Sequence, residues 1–263
     1  MVEGTLSGKT AIVTGSSRGI GAAIALRLAS HGANLVINYV SNEAAAKDVV
    51  EQIPKQLGTK AIAFRADVTK KAEVMAMFQE AKKEFGRIDI VMSNSGIEHF
   101  GDIPSVTEED IDKVFNVNVK AQFFVAQAAY EFLEDEGRLM LISSISAVWG
   151  VPRHAIYASS KAAVQGMAKC LAVDFGKRGI TVNVIAPGEV KTDMYERVAK
   201  EYIPGGEGMT IEEIDGHISK MSPLGRPGFP EDFAGVVAFL AGPDSQWLTG
   251  QTLHVSGGAH MAS

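Results

Sequence analysis

The chain has 263 residues, 46% hydrophobic and 21% charged, the make-up of a soluble globule with a sizeable core rather than of a disordered or fibrous chain. A formal charge of -6 without any Lys/Arg-rich block speaks against nucleic acid or an anionic membrane as partner and favours a small molecule. One cysteine excludes an intramolecular disulfide, no Cys/His cluster has metal-ligand spacing, and no apolar run approaches the roughly 18 residues that span a bilayer.

The start, Met1 Val2 Glu3 Gly4, lacks the apolar core of a signal peptide, so a cytoplasmic protein is expected. Short β-branched runs then alternate with longer amphipathic ones, the signature of repeated βα units around a parallel sheet. Thr10 to Thr14 reads as the first strand and Ile20 to Ser30 as a helix, with Gly15 Ser16 Ser17 Arg18 Gly19 Ile20 Gly21 between them. Glycines at this place let the backbone approach a pyrophosphate, and the helix N-terminus offers it unpaired N–H groups.

Leu35 to Tyr39 is the second strand. A preference for NAD usually places an acid about 20 residues beyond the glycines. Here Asn38, Tyr39, Val40 and Ser41 occupy that place, and Arg18 is available to a 2′-phosphate, so NADP(H) is the expected cofactor. Ala61 to Arg65 is the third strand; beyond it Asp67, beside Val68, could accept from an adenine amino group or cap the helix starting near Lys70. The fourth strand, Ile88 to Met92, ends in Ser93 Asn94 Ser95 Gly96, a small-residue turn fit for close approach to a ligand.

Thr107 to Leu133 reads as one long helix, opened by Thr107 with Asp110 in capping-box-like position. Asn118 lies amid its apolar residues and either ties backbone together or lines a wet site. Leu139 to Ile142, the fifth strand, delivers Ser143 and Ser144 where open α/β sheets place their ligand crevices, with Ile145 next to them. Tyr157 and Lys161 follow in a helix; four residues apart they share a face, so the ammonium can favour the ionised phenol. Cys170, in the apolar-periodic run 167–173, is expected to be a packed thiol.

Thr181 to Ile185 is the sixth strand, ending in Ala186 Pro187 Gly188 Glu189 Val190 Lys191 Thr192, and Thr252 to Val255 is the last. Residues 193–229 interleave Gly and Pro with Met194, Tyr195, Tyr202 and Met209, which suits a lid over an apolar substrate. The tail His260 to Ser263 either closes on the pocket or is a remnant of expression.

In order and spacing, Thr14 Gly15 to Gly21, Asn94 Ser95 Gly96, Asn118, Ser144, Tyr157 with Lys161, and Pro187 Gly188 to Thr192 resemble the short-chain dehydrogenase/reductase family. The resemblance implies a single-domain α/β Rossmann fold, a doubly wound parallel sheet of about seven strands with helices on both faces. It implies Tyr157 as proton donor, Ser144 as binder of the substrate oxygen, Lys161 on the nicotinamide ribose and Asn118 holding the water of a proton relay. Asn94 and Gly96 would border the cofactor, and Val190 and Thr192 would contact its carboxamide, with Pro187, Gly188 and Met194 beside them.

Val91 to Gly96, Gln122 to Ala126, Lys191 to Tyr195 and Glu201 to Pro204 are similar to fungal polyhydroxynaphthalene and anthrol reductases. That likeness implies NADPH-dependent reduction of the keto tautomers of polycyclic phenols by a homotetramer, some relatives acting on steroids. Ile145, Gly188, Tyr195, Tyr202 and Met209 would then face a flat aromatic substrate, the two tyrosines stacking on it. A 3-oxoacyl-thioester reductase would share the catalytic residues, and an NADP(H)-binding sensor would need only the glycine loop.

Overall fold

Each of the seven β-branched runs forms a strand: β1 Thr10–Val13, β2 Asn34–Tyr39, β3 Ala61–Arg65, β4 Ile90–Ser93, β5 Arg138–Ile142, β6 Thr181–Pro187 and β7 Thr252–Val255. The computed structural model describes residues 4–53, 58–203 and 205–261; expectations placed on Met1 to Glu3, Pro204, Ala262 and Ser263 lie outside them. All strand pairings are parallel, in the order β3-β2-β1-β4-β5-β6-β7. The chain builds outward from β1 to β3 and restarts on the other side of β1 with β4. That reversal opens a crevice at the carboxyl ends of β1 and β4.

Helices cover both faces: α1 Gly19–Ser30, α2 Glu43–Gln52, α3 Lys71–Phe85, α4 Glu108–Phe115, α5 Ala121–Phe132, α6 Ala155–Gly176, α7 Asp193–Val198, α8 Ile211–Met221 and α9 Pro230–Ala241. The period of two along β1 sorts the cores. Ala11 and Val13 pack with Ile24, Leu28, Phe233 and Val237 of α1 and α9, while Ile12 packs with Phe78, Val125 and Phe175 of α3, α5 and α6. No helix among the described residues is long and apolar enough to cross a membrane.

Four elements depart from the sequence reading. The run 107–133 is not one uniform helix: a π-helical turn, Asn116–Lys120, joins α4 to α5 around Asn118. Residues 193–229 are largely helical, and α7, α8 and the short turns between them share a small core of Tyr195, Ala199, Ile203, Ile214 and Ile218. The short helix α2 escaped notice because it buries only Ala46 and Val49, its start fixed by Asn42, whose side chain accepts from the Ala45 amide at 3.0 Å. Cys170 is exposed, not packed. The buried stripe of α6 runs through Val164, Ala168, Leu171 and Phe175, and Cys170 lies off it.

Asn38 is another correction. Expected against the cofactor, it is fully buried beneath the glycine loop and lies outside the cleft lining. Its Oδ1 accepts from the Gly15 amide and its Nδ2 donates to the Ala66 carbonyl, both at 3.0 Å. The Asn38 amide in turn donates to Ser16 Oγ at 3.0 Å, so loop, β2 and the end of β3 are fastened together. Asn38→Ala strands two backbone groups and should lower unfolding stability by about 1–3 kcal/mol. In urea denaturation the midpoint should fall with the slope unchanged; an unmoved midpoint would show that the loop is fixed by other contacts.

Candidate active site

The crevice is a cleft of about 500 Å³ that runs from the ends of β2 and β3, over the glycine loop, to the ends of β5 and β6. Its walls include Gly15, Ser17, Arg18, Gly19, Ile20 and Gly21 from the loop; Tyr39, Ser41, Asp67 and Val68; Asn94 and Gly96; and Pro187, Gly188, Val190, Thr192 and Met194. Gly15 turns with φ +61°, and a Cβ there would meet Ser95 Oγ at 2.9 Å. At Gly21 a Cβ would lie 2.4 Å from the Gly15 carbonyl oxygen. Only glycine at these two positions lets α1 start so close under β1.

Helix α1 begins without a side-chain cap, as α3 and α6 also do, but of these it opens directly from the glycine loop that lines the cleft. The first N–H groups of α1 are therefore left to an anion, which the donor set and the bare loop fit as a dinucleotide pyrophosphate. Arg18 lies at the mouth with Nη1 3.4 Å from Asp193 Oδ2, both side chains mostly exposed, so the contact holds the guanidinium only weakly. Asp67 spends one oxygen on the Thr69 amide and hydroxyl, at 3.0 and 2.7 Å, and does not cap α3, whose N-cap is Lys70. Its carboxylate still faces the cleft.

Thr14 Oγ1 accepts from the Asn94 and Ser95 amides at 2.9 and 3.1 Å and so seats the β4 turn beside the glycine loop. Asn118 does the same from the other side. Its Oδ1 accepts from the Ile97 amide and its Nδ2 donates to the Ile97 carbonyl, both at 2.9 Å. Of the two readings left open for it, Asn118 takes the first: it ties backbone together, fully buried and outside the cleft lining. Gln122 extends the tie, donating to the carbonyls of Asn118 and Ile142, each at 2.9 Å, and accepting from the Ile142 amide at 3.0 Å.

Ser144, Tyr157 and Lys161 converge on the cleft from the end of β5 and the first turns of α6. Ser143, tucked behind them, donates to the Lys161 carbonyl at 2.8 Å and holds α6 to the strand end. Ser144 Oγ accepts from the Ser146 amide at 3.1 Å, and its hydroxyl bonds to the Tyr157 oxygen, so the two hydroxyls point at one spot in the cleft. The Lys161 ammonium stands 5.4 Å from the centre of the Tyr157 ring. Ile145 and Met209, expected against substrate, do not line the cleft: Ile145 is buried behind Gly188, and Met209 packs on the core beneath α7 and α8. Tyr195 and Tyr202 do line it, but the Tyr195 hydroxyl is tied to Asp215 at 2.7 Å.

Burial dominates the electrostatics. It pushes the Tyr157 phenol well above its usual value, the nearby Glu98 adds to the rise, and Ser144 opposes it. The spacing suggested that Lys161 would pull that phenol down; instead desolvation brings the lysine itself down to about 8. Glu189 is raised to about 8, by burial first and by Glu98 second, and Tyr202 is raised by burial and then Glu98.

Sequence reasoning passed over Glu98, Glu189 and His154. Glu98 lies two residues past Gly96, and Glu189 interrupts the otherwise uncharged 186–190; an acid in either ligand-facing turn was the available signal. His154 had none, since its burial and ring contacts arise only when α6 docks.

A family model described as Enoyl-(Acyl carrier protein) reductase matches residues 15–260. Hydroxynaphthalene reductase-like protein Arp2 of Metarhizium brunneum is 54% identical over 257 residues, 97% of this chain and 96% of that protein. A probable tetrahydroxynaphthalene reductase of Zymoseptoria tritici is 48% identical over 257 residues, with the same coverage of 97% and 96%. A solved short chain dehydrogenase from Burkholderia cenocepacia in complex with NADP superposes with a TM-score of 0.86 at 38% identity, covering 97% of this chain and 99% of that one.

Glu189 yields a stability test. Its folded value of about 8 stands above the ordinary 4.5, so between these the folded protein keeps a proton the unfolded chain has lost, and stability falls as pH rises through that window. Glu189→Gln, which stays neutral, should therefore gain on the wild type from about pH 5 to about pH 8. The difference in melting temperature should grow by about 2–4 °C or more, the shift ~1 kcal/mol produces in a chain of this size. A difference independent of pH would mean that Glu189 is ionised in the fold.

Proposed function

The chain belongs to the short-chain dehydrogenase/reductase family, and on that footing we propose that it is an NADPH-dependent reductase of a polycyclic phenol, taken as its keto tautomer. The substrate is of the polyhydroxynaphthalene or anthrahydroquinone type, from a polyketide or pigment route. The observation that carries this is the convergence of Ser144, Tyr157 and Lys161 at the inner end of a cleft whose outer end is a bare glycine loop. The names of relatives at 48% and 54% identity support the hydroxyarene, and the NADP held by the Burkholderia structure supports the cofactor.

Bound along Gly15 to Gly21 with its nicotinamide against Gly188, Val190 and Thr192, NADPH would supply a hydride to the carbonyl carbon. Ser144 donates to the substrate oxygen. Tyr157, kept protonated by burial, gives its proton to that oxygen as it gains charge. The Lys161 ammonium over the ring then stabilises the phenolate left behind, and solvent restores the proton. Asn118 serves this site by fixing Ile97 and, through Gln122, the end of β5.

Residues 193–229 form the substrate lid, with Tyr202 and Tyr195 facing a flat ring system. We place the enzyme in the cytoplasm as a homotetramer; the exposed Phe123, Tyr130 and Val173 on α5 and α6 suit faces that pair between subunits.

The reading is tested by NADPH and NADH oxidation against a polyhydroxynaphthalene, a reduced hydroxyanthraquinone, a steroid ketone and a short acyl thioester. Turnover with NADPH confined to the polycyclic phenols is expected; turnover of the thioester alone would move the enzyme to acyl reduction. Tyr157→Phe should cut kcat by about 100-fold or more while NADPH binds within about twofold of wild type. Arg18→Ala should weaken NADPH about tenfold and leave NADH unchanged, as measured by fluorescence titration. Equal effects on both cofactors would remove Arg18 from 2′-phosphate recognition.

A further inference from the structure

Beside the reacting groups the cleft carries a polar assembly that carbonyl reduction leaves unused. Glu98 Oε1 accepts from the Tyr202 hydroxyl at 2.7 Å and lies 3.0 Å from His154 Nε2. The other ring nitrogen of His154 stands 2.9 Å from the His99 carbonyl oxygen; both ring nitrogens thus face acceptors, and each donates where it carries its hydrogen, so the ring cannot turn without losing both contacts. His154 is fully buried, stacked on Phe100 with centroids 4.1 Å apart and flanked by the rings of Tyr157 at 4.5 Å and Tyr202 at 5.2 Å. The Asn118 clasp on Ile97 fixes the backbone next to Glu98.

A carboxylate has about four lone-pair positions, and Tyr202 and His154 occupy only Oε1. The Tyr157 hydroxyl also hydrogen-bonds the carboxylate, which still leaves a lone-pair position to the cleft, of which Glu98 is a wall. Glu189 also lines it, and its carboxyl group has no side-chain hydrogen bond among the described residues, so the walls hold two carboxyl groups able to take partners from the ligand. An acyl chain or an unsubstituted ring would leave them unpaired in a half-dry cavity at a cost; a hydroxyl group would satisfy them.

We propose that Glu98, held by Tyr202 and His154, is a binding subsite for a phenolic hydroxyl of the substrate other than the oxygen being reduced. The subsite makes the enzyme selective for arenes bearing a second hydroxyl over those in which it is absent or methylated. It rests on the reading of the cleft as a carbonyl-reducing site, and it deepens that reading by naming what a substrate must carry besides its keto group. His154 and Tyr202 are positioning residues, since they act on the ligand through Glu98.

The test is calorimetric titration of the NADP⁺-loaded enzyme with a dihydroxynaphthalene and with its monomethyl ether. Wild type should bind the diol about tenfold or more tightly than the ether. In Glu98→Ala the two should bind within about threefold of each other, through loss of diol affinity alone. Glu98→Gln, which keeps an acceptor for Tyr202 and guards against a misfolded alanine variant, should lower the preference about fivefold, as a charged acceptor becomes a neutral one. Equal binding of the two ligands by wild type, a preference that survives in both variants, or a parallel loss for both ligands would overturn the subsite. Because binding is read without turnover, a wild type that prefers the diol but never oxidises NADPH against any ketone would sink the reductase reading and leave the subsite standing.

Discussion

The site depends on the fastening of three strand ends by buried amide side chains that bond directly to backbone. Asn118 grips both polar groups of Ile97, and Gln122 grips both polar groups of Ile142. The two amides lie one turn apart, and Gln122 also closes the Asn118 carbonyl. At 116–120 the helix widens into a π-helical turn, the Ala121 amide bonding to the Asn116 carbonyl, and Asn118 sits in that turn beside the β4 loop. Through these bonds one helix sets the spacing between Gly96 and Glu98 on one side and Ser144 on the other. Asn38 and Thr14 do the corresponding work around the glycine loop.

Burial then sets the protonation of the groups so placed. Tyr157 is raised and kept as an acid, Lys161 is lowered to about 8, and Glu189 is raised to about 8. The same desolvation that favours a phenol able to donate works against a charged lysine. Lys161 retains its charge near neutrality because Glu98 opposes the fall. Glu98 thus bears on two of the groups that the proposed reaction uses, raising the tyrosine and supporting the lysine.

The segment carrying Tyr202 is held rather than loose. Arg153, with φ 62° in the left-handed region uncommon for side-chain-bearing residues, ion-pairs with Asp102 at 3.1 Å and with Glu201 at 2.8 Å. It stands directly before His154, so the turn that opens α6 also latches the 199–202 turn. Lys191 and the Tyr195 hydroxyl both reach Asp215 of α8, closing the far side. Part-buried at Glu201 and Asp215 and more exposed at Arg153 and Asp102, these contacts are each of modest strength, consistent with the proposed lid.

Much of this molecule was legible in the sequence because the periods that encode it are local. All seven strands, the glycine loop and the helix bearing Tyr157 and Lys161 follow from β-branched runs, small-residue turns and the i,i+4 rule. The absence of an acid after β2 likewise needed only position. Where a side chain points was not legible: Asn38 and Asn118 face backbone rather than cleft, Cys170 misses the buried stripe by one position, and Met209 packs on the small core of α7 and α8. Nor was the meeting of Glu98, His154 and Tyr202, residues from three separate stretches of chain, since each is an ordinary residue in its own neighbourhood. Local sequence determines the elements and their order because propensity and amphipathic period act within a few residues. Tertiary packing decides which polar groups lose water together, and that loss fixes their partners and their protonation.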